Sequence, residues 1–487
     1  MVIQTPAWVK DAVFYQIFPD RFAFSNPPSG FNNYQKGANL EPWHQAPQLQ
    51  TYKGGNFWGI IEKLDYLQDL GFNAIYFTPI FQSTCNHRYH THDYYQVDPL
   101  LGGNEAFAEF LKQAHRRNIK VVLDGVFNHV GRGFFFFNDI LENGPNSPWL
   151  DWFLIEDWPL SAYDGSYPAN YASWVGNRAL PKFNHDHPPV KEYIMQVGEY
   201  WLNQGIDGWR LDVPNEVVAD GFWQEFRQRV KKINPEAYIV GEIWCPAEQW
   251  LDGTQFDGVM NYQFTEATIA FCGGDRILKE YVEIPPYHPY PALNAAEYAQ
   301  KIEALLARYD WQIQLTQLNL LASHDTARLL TVAGEDIDTV KLSTLLLLTF
   351  PGTPSIYYGD EVGLLGGLDP DSRRSFPPQA DWDQDLLNFH RQLIALRHQY
   401  PSLRTGDYQV LYANHDLYIF SRTLDAETIV VGVNNGNQNR EVTLNASKLN
   451  LKLDRVLFGD GKYSPDSAHN SSMVTFSFPA RSGSIFN

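Results

Sequence analysis

Eight short apolar runs, separated by longer segments of mixed polarity, constrain the fold of this chain more than any other feature. Each run is rich in β-branched or aromatic residues, which is typical of strands buried on both faces. Amphipathic segments lie between the runs, and strands that alternate with helices form a parallel sheet. Eight such strands predict an α/β fold, a closed (β/α)8 TIM barrel. The predicted strands are Val13–Phe18, Ala74–Thr78, Lys120–Val126, Gly208–Val213, Tyr238–Ile243, Gly258–Tyr262, Leu318–Ser323 and Ser355–Tyr358.

The amphipathic segments between these runs predict helices. In Glu105–Arg117, apolar residues recur at spacings of three and four, and Asn104 precedes them as the predicted N-cap. Gly71 follows a helical segment as a C-cap signal before the second strand. The other predicted helices are Val190–Leu202, Phe222–Ile233, Ala295–Tyr309, Thr339–Leu348 and Leu386–His398.

Two parts of the chain depart from this alternation. After the third strand, roughly 60 residues rich in Pro, Asn, Trp and Phe precede the next helix, which is too long for a structureless loop and predicts a small inserted domain. After Pro401 the pattern changes to period-two runs separated by turn residues, which predicts a terminal antiparallel β-domain. The predicted divisions are residues 1–129 and 189–402 for the barrel, 130–188 for the inserted domain and 403–487 for the terminal domain.

The charge balance limits the class of partner. Lys and Arg total 37 and Asp and Glu total 56, so the formal net charge is −19. Such acidity disfavours nucleic acid and anionic membrane surfaces as partners. The three cysteines are too few and too scattered for a disulfide framework, and they suit a reducing compartment. Because neither a signal-peptide pattern nor a membrane-spanning apolar run is visible, we expect a cytoplasmic protein.

Acidic residues follow four of the predicted strands. The active site of a parallel barrel lies at the C-terminal ends of its strands, so these residues are the first candidates for chemistry. The alternative is a set of solvated rim charges and helix N-caps, but each acid ends an apolar strand rather than opening a polar loop. The strand ends carry Asp124, Asn128, His129, Arg210, Asp212, Glu242, His324 and Asp325.

Glycoside hydrolysis needs one ionised and one protonated carboxyl group, and the sequence neighbours separate the candidates. Arg210 and Asp212 are two apart on a strand and point to the same side, where a guanidinium keeps a carboxylate ionised. Asp212 is therefore the better nucleophile. Glu242 precedes two large apolar or aromatic residues, and a less polar setting would raise its pKa and suit a proton donor. Asp325 is a third acid, able to hold sugar hydroxyls and to stabilise positive charge.

Six segments of the chain resemble those of a single enzyme family. Four are similar to the ordered strand-end motifs of the α-amylase family, glycoside hydrolase family 13, and two are similar to its first and last barrel strands. The resemblance covers nearly the whole chain and implies a barrel with a domain B after strand three and a C-terminal antiparallel β-sandwich. The segments are DGVFNH (124–129), GWRLDVPNE (208–216), VGEIW (240–244), LASHD (321–325), AVFYQIFPDRF (12–22) and GTPSIYYGDE (352–361).

The resemblance implies roles for the matched positions. Asp212 resembles the family's nucleophile, Glu242 its acid/base and Asp325 its transition-state stabiliser. Tyr89 resembles its stacking tyrosine, with a core tyrosine as the alternative, and the next residue, usually Asp, is here His90. The positions similar to the sugar-binding and orienting residues of subsite −1 are His129, Arg210 and His324.

Four further segments are similar to the neopullulanase and cyclomaltodextrinase group: LPKFN (180–184), DVPNE (212–216), FDGVMNY (256–262) and DPDSRR (369–374). The last resembles a segment that supplies Asp and Arg to subsite −2, with a capped loop and a surface ion pair as the alternative. That group usually carries an N-terminal β-domain, whereas the first strand here begins near residue 13. We therefore expect a more open or differently roofed cleft, one able to admit branched chains, which leaves α-1,6 cleavage open. The further substrate-binding candidates are Asp124, Phe183, Asn215, Glu216, Trp244, Asp369 and Arg373.

The resemblance implies no organic cofactor, and we expect no metal to be required. Many α-amylases hold structural Ca²⁺ through an Asn that Asn128 matches, but this group often lacks that site, so a hydrogen-bonding Asn is favoured and Asn128 is a weak calcium candidate. His87, His90 and His92 form an alternate-residue cluster that zinc could bind, although the polar rim of a sugar cleft also explains it.

Together these features predict a retaining hydrolase that cleaves α-glucans through a covalent glycosyl-enzyme intermediate. Its substrates would be malto-oligosaccharides, cyclomaltodextrins, pullulan or branched dextrins, with α-1,4 and also α-1,6 linkages considered. One alternative is a transglycosylase or glucan-isomerising enzyme of the same family. Another is a non-catalytic binding relative, although such proteins lose catalytic acids. The expected partners are α-glucan oligosaccharides or polysaccharides, without nucleic acid or membrane, and a homodimer is left open.

Overall fold

A computed structural model of the chain describes residues 3–284, 287–446, 453–465 and 473–487. The chain divides into two compact units, each of which combines segments that are distant in the sequence. The first unit comprises Met1–Trp8, Phe14–Met260 and Arg373–Pro377, and the second comprises Val9–Val13, Asn261–Ser372 and Pro378–Asn487. Two parts of the predicted terminal domain, residues 447–452 and 466–472, lie outside the described residues.

Six parallel strands form the sheet of the first unit, and each strand pairs with the next one along the chain. Asp124 lies opposite Arg210, and Arg210 lies opposite Val240. Because the strands run parallel in this register, the carboxyl ends of the middle strands meet at one edge of the sheet. The strands are Phe14–Ile17, Ala74–Phe77, Lys120–Gly125, Gly208–Leu211, Tyr238–Gly241 and Gly258–Val259.

Several strands of this sheet end earlier than the sequence pattern predicts. The fourth ends at Leu211, and Val213 then adopts a left-handed backbone conformation with φ of 36° and ψ of 50°. The fifth ends at Gly241 rather than at Ile243. The chain turns into its loops at these points, so the two acids of the fourth and fifth strands lie just beyond the regular sheet.

Helices follow most strands of the first unit. Gly71, at φ of 95°, ends its helix as predicted. The N-cap prediction for Asn104 is wrong, because the helix begins at Gly103 and the Asn104 side chain instead bonds to backbone groups of Val97 and Tyr95. The helices are Ala7–Lys10 (which crosses the unit division), Pro19–Phe22, Phe57–Leu70, Gly103–Arg116, Phe135–Asn143, Pro188–Gln204 and Phe222–Ile233; a hairpin pairs Phe81–Ser83 with Thr91–Val97.

Residues 130–188 contain little regular structure apart from the helix Phe135–Asn143. Single β-bridges join Phe153 to Phe183 and His129 to Lys182. Aromatic rings fill the interior of this segment; Phe136, for example, stacks on Trp149 with ring centroids 3.8 Å apart. Because few backbone hydrogen bonds between strands link this segment, the packing of its aromatic rings stabilises the loop that follows the third strand.

The second unit contains two paired parallel strands, Leu318–Asn319 and Thr353–Tyr357. The first ends well before the predicted Ser323, because the backbone N–H of Ser323 donates to the Thr326 hydroxyl instead of to a strand. The helices of this unit are Tyr262–Cys272, Ala295–Ala307, Trp311–Gln314, Leu329–Val332, Ile337–Thr349, Gln384–Gln399 and Pro401–Thr405.

Within the described residues of the second unit, two antiparallel sheets pack around a shared apolar core. The five-stranded sheet, in spatial order, is Gln409–Asn414, Leu417–Leu424, Glu427–Asn434, Ser482–Phe486 and Val456–Phe458. The three-stranded sheet is Arg440–Asn445, Met473–Phe478 and Lys462–Pro465. Buried side chains from both sheets form the core: Leu417, Ile419, Val430, Val474, Phe476, Phe478 and Phe486.

The helices of the described residues are short compared with a bilayer. The longest, Pro188–Gln204, has 17 residues. None of the helices within the described ranges has the length and apolar character to cross a membrane.

Candidate active site

One arginine contacts three carboxylates at the edge of the first unit's sheet. An Arg210 Nη1 lies 2.9 and 3.0 Å from the two carboxylate oxygens of Asp124 and 3.0 Å from Asp212 Oδ1. Arg210 Nη2 lies 2.9 Å from Glu242 Oε2. All four side chains are buried, with 8 % or less of each exposed. A single delocalised cation therefore contacts three acids in a setting that water barely reaches.

The local fold explains why these side chains meet. The backbone N–H of Asp212 bonds to Gly125 O, and that of Glu242 bonds to Leu211 O, so each acid continues the ladder of its neighbouring strand. Arg210 precedes Asp212 by two residues, which places both on one side of the strand. The parallel register thus brings together groups from three strands that are far apart in the sequence.

Polar groups also surround Glu242, unlike the less polar setting predicted from its sequence neighbours. The Val213 backbone N–H donates to Oε2 at 3.2 Å, and the Trp244 indole N–H donates to Oε1 at 3.0 Å. The indole is thus turned so that its polar edge meets the carboxyl group. Both oxygens of Glu242 are held in place, and Val213 provides its contact from the left-handed conformation that begins the loop.

Asp124 is the most deeply buried of the three acids. Burial raises the pKa of its carboxyl group to about 6, although the adjacent Arg210 lowers it. The hydroxyl of Tyr89 donates to Asp124 Oδ2 at 2.8 Å, and that of Tyr76 lies 3.3 Å from the same oxygen. Tyr89 is thus attached to the acid cluster through its hydroxyl, and the residue is partly exposed.

His129 presents a ring nitrogen that has no partner among the described residues. Burial lowers the pKa of the imidazole to about 3, so the ring is neutral at pH 7. The Asn128 amide lies 3.2 Å from Nδ1 and, by donating there, places the ring proton on Nε2. Nε2 is buried and lacks a hydrogen-bond partner within the described ranges. A buried N–H without a partner costs about 1–3 kcal/mol, which a ligand oxygen would recover.

A tryptophan covers one face of the His129 ring. Trp174 stacks on it with ring centroids 5.4 Å apart and planes 20° from parallel. Trp174 belongs to a one-turn helix in the segment 130–188, so this segment contributes to the site.

In the second unit, His324 and Asp325 form a pair. His324 is fully buried, and its Nε2 lies 3.1 Å from Asp325 Oδ2, whose side chain is 31 % exposed. The backbone N–H of Asp325 donates to Ser323 Oγ at 3.2 Å, and the Tyr262 hydroxyl lies 3.0 Å from the same oxygen. A buried imidazole and a seryl hydroxyl thus orient an acid that faces solvent.

The remaining sequence-predicted residues occupy different environments. Phe183 is 2 % exposed and stacks on Phe153, so its packing supports a core role rather than contact with a ligand. Asn215 and Glu216 are exposed in a one-turn helix directly after the fourth strand. Asp369, in the second unit, is exposed. Arg373, in the first unit, is 8 % exposed, and its guanidinium lies 5.5 Å from the centre of the Phe18 ring.

Asn128, the weak calcium candidate of the sequence, is fully buried. Its Oδ1 is buried without a partner among the described residues, but its amide nitrogen is committed to His129. Ca²⁺ takes six to eight oxygen ligands, mostly carboxylates and carbonyls. Among the described residues, the one group of three or more His, Cys, Asp or Glu side chains with metal-binding spacing is Cys85, His87 and His90. It includes two of the three histidines noted in the sequence and omits His92.

Sequence reasoning missed several groups in the site. Tyr76 lies inside a strand, where an apolar pattern gives no sign of its hydroxyl contact with Asp124. The Val213 N–H is a backbone group, and Trp174 is one of many aromatic residues in its segment. His129 and Lys182 form a β-bridge. Lys182 lies in LPKFN, and the similarity of that segment to the neopullulanase group is the sequence signal that pointed to this region.

Two family models match the chain. The model described as alpha amylase, catalytic domain, matches residues 16–384, and that described as alpha-amylase C-terminal domain matches residues 406–486. Among curated relatives, a cyclomaltodextrinase of a Bacillus species is 44 % identical over 89 % of this chain and 74 % of its own length. Neopullulanase 2 of Thermoactinomyces vulgaris is 42 % identical over 91 % of this chain and 72 % of its own length.

A solved structure is similar over the full length of the chain. The crystal structure of a debranching enzyme from Nostoc punctiforme is 63 % identical, covers 100 % of both chains and has a TM-score of 0.93. Together with the eight parallel strands of the two units and the C-terminal antiparallel sheets, this likeness and the catalytic-domain match confirm the predicted fold class.

Proposed function

The chain belongs to the α-amylase family, glycoside hydrolase family 13, and on that premise we propose that the carboxylates around Arg210 hydrolyse α-glucans with retention of configuration. It is a glycosidase whose relatives include a cyclomaltodextrinase, a neopullulanase and a debranching enzyme. The observation that carries the proposal is the contact of one guanidinium with both Asp212 and Glu242. Such a cation holds two acids at a fixed separation while one is ionised and the other exchanges a proton.

In the first step, an Asp212 oxygen attacks the anomeric carbon and forms a glycosyl ester. The C–O bond to the leaving sugar breaks, and Glu242 donates its proton to that oxygen. In the second step, the Glu242 carboxylate removes a proton from water, whose oxygen attacks the same carbon and releases Asp212. Two inversions return the original configuration, and each residue regains its starting protonation state. Asp325, oriented by His324, has the proposed role of stabilising the positive charge that develops on the sugar.

Two groups of the first unit have proposed roles in binding the sugar at the point of cleavage. The neutral His129 ring carries an Nε2–H donor that has no partner among the described residues. We propose that this group donates a hydrogen bond to a sugar hydroxyl oxygen. Tyr89, tied to Asp124 through its hydroxyl, offers an aromatic face to the apolar face of a pyranose ring. The Trp244 indole N–H donates to Glu242, which places this ring next to the proposed proton donor.

The experiment that tests this proposal replaces Asp212 with Asn. Asp212→Asn removes the nucleophile but keeps the shape, so we expect kcat on maltodextrin to fall by about 10³-fold or more. The wild-type protein should first release product of the same anomeric configuration as the substrate, which nuclear magnetic resonance detects. Asp220→Asn, which changes an exposed carboxylate on the following loop, is the matched control. Unchanged hydrolysis in Asp212→Asn, or an inverted first product, would refute the assignment.

Further parts of the proposal concern cofactors, partners and location. We propose that hydrolysis needs no metal or organic cofactor, since the proton transfers above use side chains of the chain itself. The net charge of −19 suits an uncharged glucan and disfavours nucleic acid. Cys85, Cys245 and Cys272 are free thiols, which supports a reducing compartment such as the cytoplasm. A homodimer is a proposal that size measurement in solution would test.

A further inference from the structure

A thiol and two imidazoles meet on the loop that carries Tyr89. Cys85, His87 and His90 each offer one ligand atom, and these atoms lie within 4.8 Å of one another. All three side chains are partly exposed, so an ion from solvent can reach them. We propose that these residues bind a borderline-soft divalent cation of the Zn²⁺ class, and that the bound ion inhibits the sugar site through Tyr89. The inhibitory part of the proposal rests on the proposed function.

The spacing of the three residues fits a tetrahedral ion. Cys85 Sγ lies 3.5 Å from His87 Nδ1. Bond lengths of about 2.3 Å to sulfur and about 2.0–2.1 Å to nitrogen, at the tetrahedral angle, require a separation of about 3.5 Å. The His87 and His90 rings are nearly perpendicular, at 81°, with centroids 5.2 Å apart, so their nitrogens can approach one point from different directions. Solvent would provide the fourth ligand.

The chemistry of the ligand atoms selects the class of ion. A thiolate and two imidazoles favour zinc-like ions, whereas calcium and magnesium prefer oxygen. Neutral imidazole is the form that binds metal, and Cys85, His87 and His90 together offer one sulfur and two nitrogen ligand atoms. Metal binding converts the Cys85 thiol to a metal-bound thiolate and releases its proton to solvent.

Neighbouring groups hold the loop in this arrangement. The Ser83 hydroxyl lies 3.2 Å from Cys85 Sγ and donates to the His90 carbonyl at 2.7 Å. One hydroxyl therefore contacts the first and last ligand residues and fixes their separation. Such outer contacts are typical of metal sites, where they orient the ligating side chains.

Metal binding at this cluster would disturb Tyr89. The Tyr89 backbone N–H donates to His87 Nδ1 at 3.2 Å, and Nδ1 is the same atom that would bind the ion. The ion takes the lone pair, so the Tyr89 N–H loses its acceptor. The Tyr89 hydroxyl anchors Asp124, so movement of this residue reaches the acid cluster. If the full contribution of this hydrogen bond is lost from the transition state, kcat/KM falls by about tenfold.

Cobalt chloride added to the full-length, reduced protein provides the test, because Co²⁺ occupies zinc-like sites and reports its ligands. We expect one Co²⁺ per chain, with the absorption bands of a four-coordinate ion and a thiolate-to-cobalt charge-transfer band. The charge-transfer band and the bands of the four-coordinate ion should disappear in Cys85→Ala and weaken in His90→Ala. They should persist in Cys245→Ala, which removes an exposed thiol elsewhere in the first unit. The absence of the charge-transfer band, or its persistence in Cys85→Ala, would overturn the site.

The regulatory consequence is measured separately. Zn²⁺ should lower kcat/KM on maltodextrin by about tenfold, EDTA should restore it, and Cys85→Ala should be as active as the wild type and resist the ion. Circular dichroism of the variant establishes that it is folded. A cobalt spectrum with unchanged hydrolysis would refute inhibition through Tyr89. Because the spectrum does not depend on activity, it tests the metal site even if the proposed glycosidase reaction fails.

Discussion

At the scale of single residues, Asp124 links the charge of the site to pH. Burial raises its pKa to about 6, from the ordinary value of 3.8. Below that pH the carboxylate takes up a proton and its ion pair with Arg210 is lost. We therefore expect kcat/KM to fall as the pH decreases through about 6, because Arg210 then redistributes its contacts between Asp212 and Glu242.

The effect of the same group on stability has the opposite sign. Its folded-state pKa lies above the unfolded value, so between about pH 6 and pH 4 the folded chain binds a proton that the unfolded chain has released. As the pH falls through this range, protonation of Asp124 raises the free energy of unfolding, while kcat/KM decreases. Measuring kcat/KM and the thermal unfolding midpoint in the same buffers separates the two. Two results would contradict the assignment of this pH dependence to Asp124. The first is a decrease in kcat/KM at low pH that coincides with unfolding, and the second is the same decrease in the residual activity of Asp124→Asn.

At the scale of elements, helix ends show where local sequence suffices. The Asn294 side chain accepts from the backbone N–H groups of Ala296 and Glu297, and the Glu297 carboxylate accepts from the N–H of Asn294. We expect Asn294→Ala to lower the free energy of unfolding by about 1 kcal/mol, because the helix Ala295–Ala307 loses its capping box. Urea unfolding, with Asn294→Ser as the conservative control, measures this. Equal midpoints for the alanine and serine variants would contradict the prediction.

Boundaries predicted from periodicity succeed where packing and propensity agree. The helix Phe222–Ile233 has the predicted bounds, since it has a regular apolar face and clear ends. The pattern failed at Asn104, because its amide found strand backbone groups of Val97 and Tyr95 that no local rule reveals. Propensity identifies residues able to cap a helix, but tertiary contacts decide which partners they choose.

At the scale of the whole molecule, the full-length likeness to a debranching enzyme bears on linkage specificity. We propose that the protein cleaves α-1,6 as well as α-1,4 bonds, and expect it to act on branched maltodextrin, pullulan and β-cyclodextrin. Separating the products by size and linkage checks this. Products that retain every α-1,6 bond would contradict debranching. Excess acceptor sugar distinguishes the transglycosylase alternative, because a transferase would yield products longer than the substrate, whereas a hydrolase would not.

The amino-acid sequence by itself determined the fold class and the identity of the acids at the strand ends, because buried strands, helices and their order leave periodic signals in a linear chain. It also paired Arg210 with Asp212, since two residues on one strand share a side. Only the tertiary structure decided that the same guanidinium reaches Asp124 and Glu242, that Val213 and Trp244 hold Glu242, and that Cys85 joins His87 and His90. Those contacts depend on loop conformation and on strand register, and the apolar pattern does not specify the register of strands that are buried on both faces.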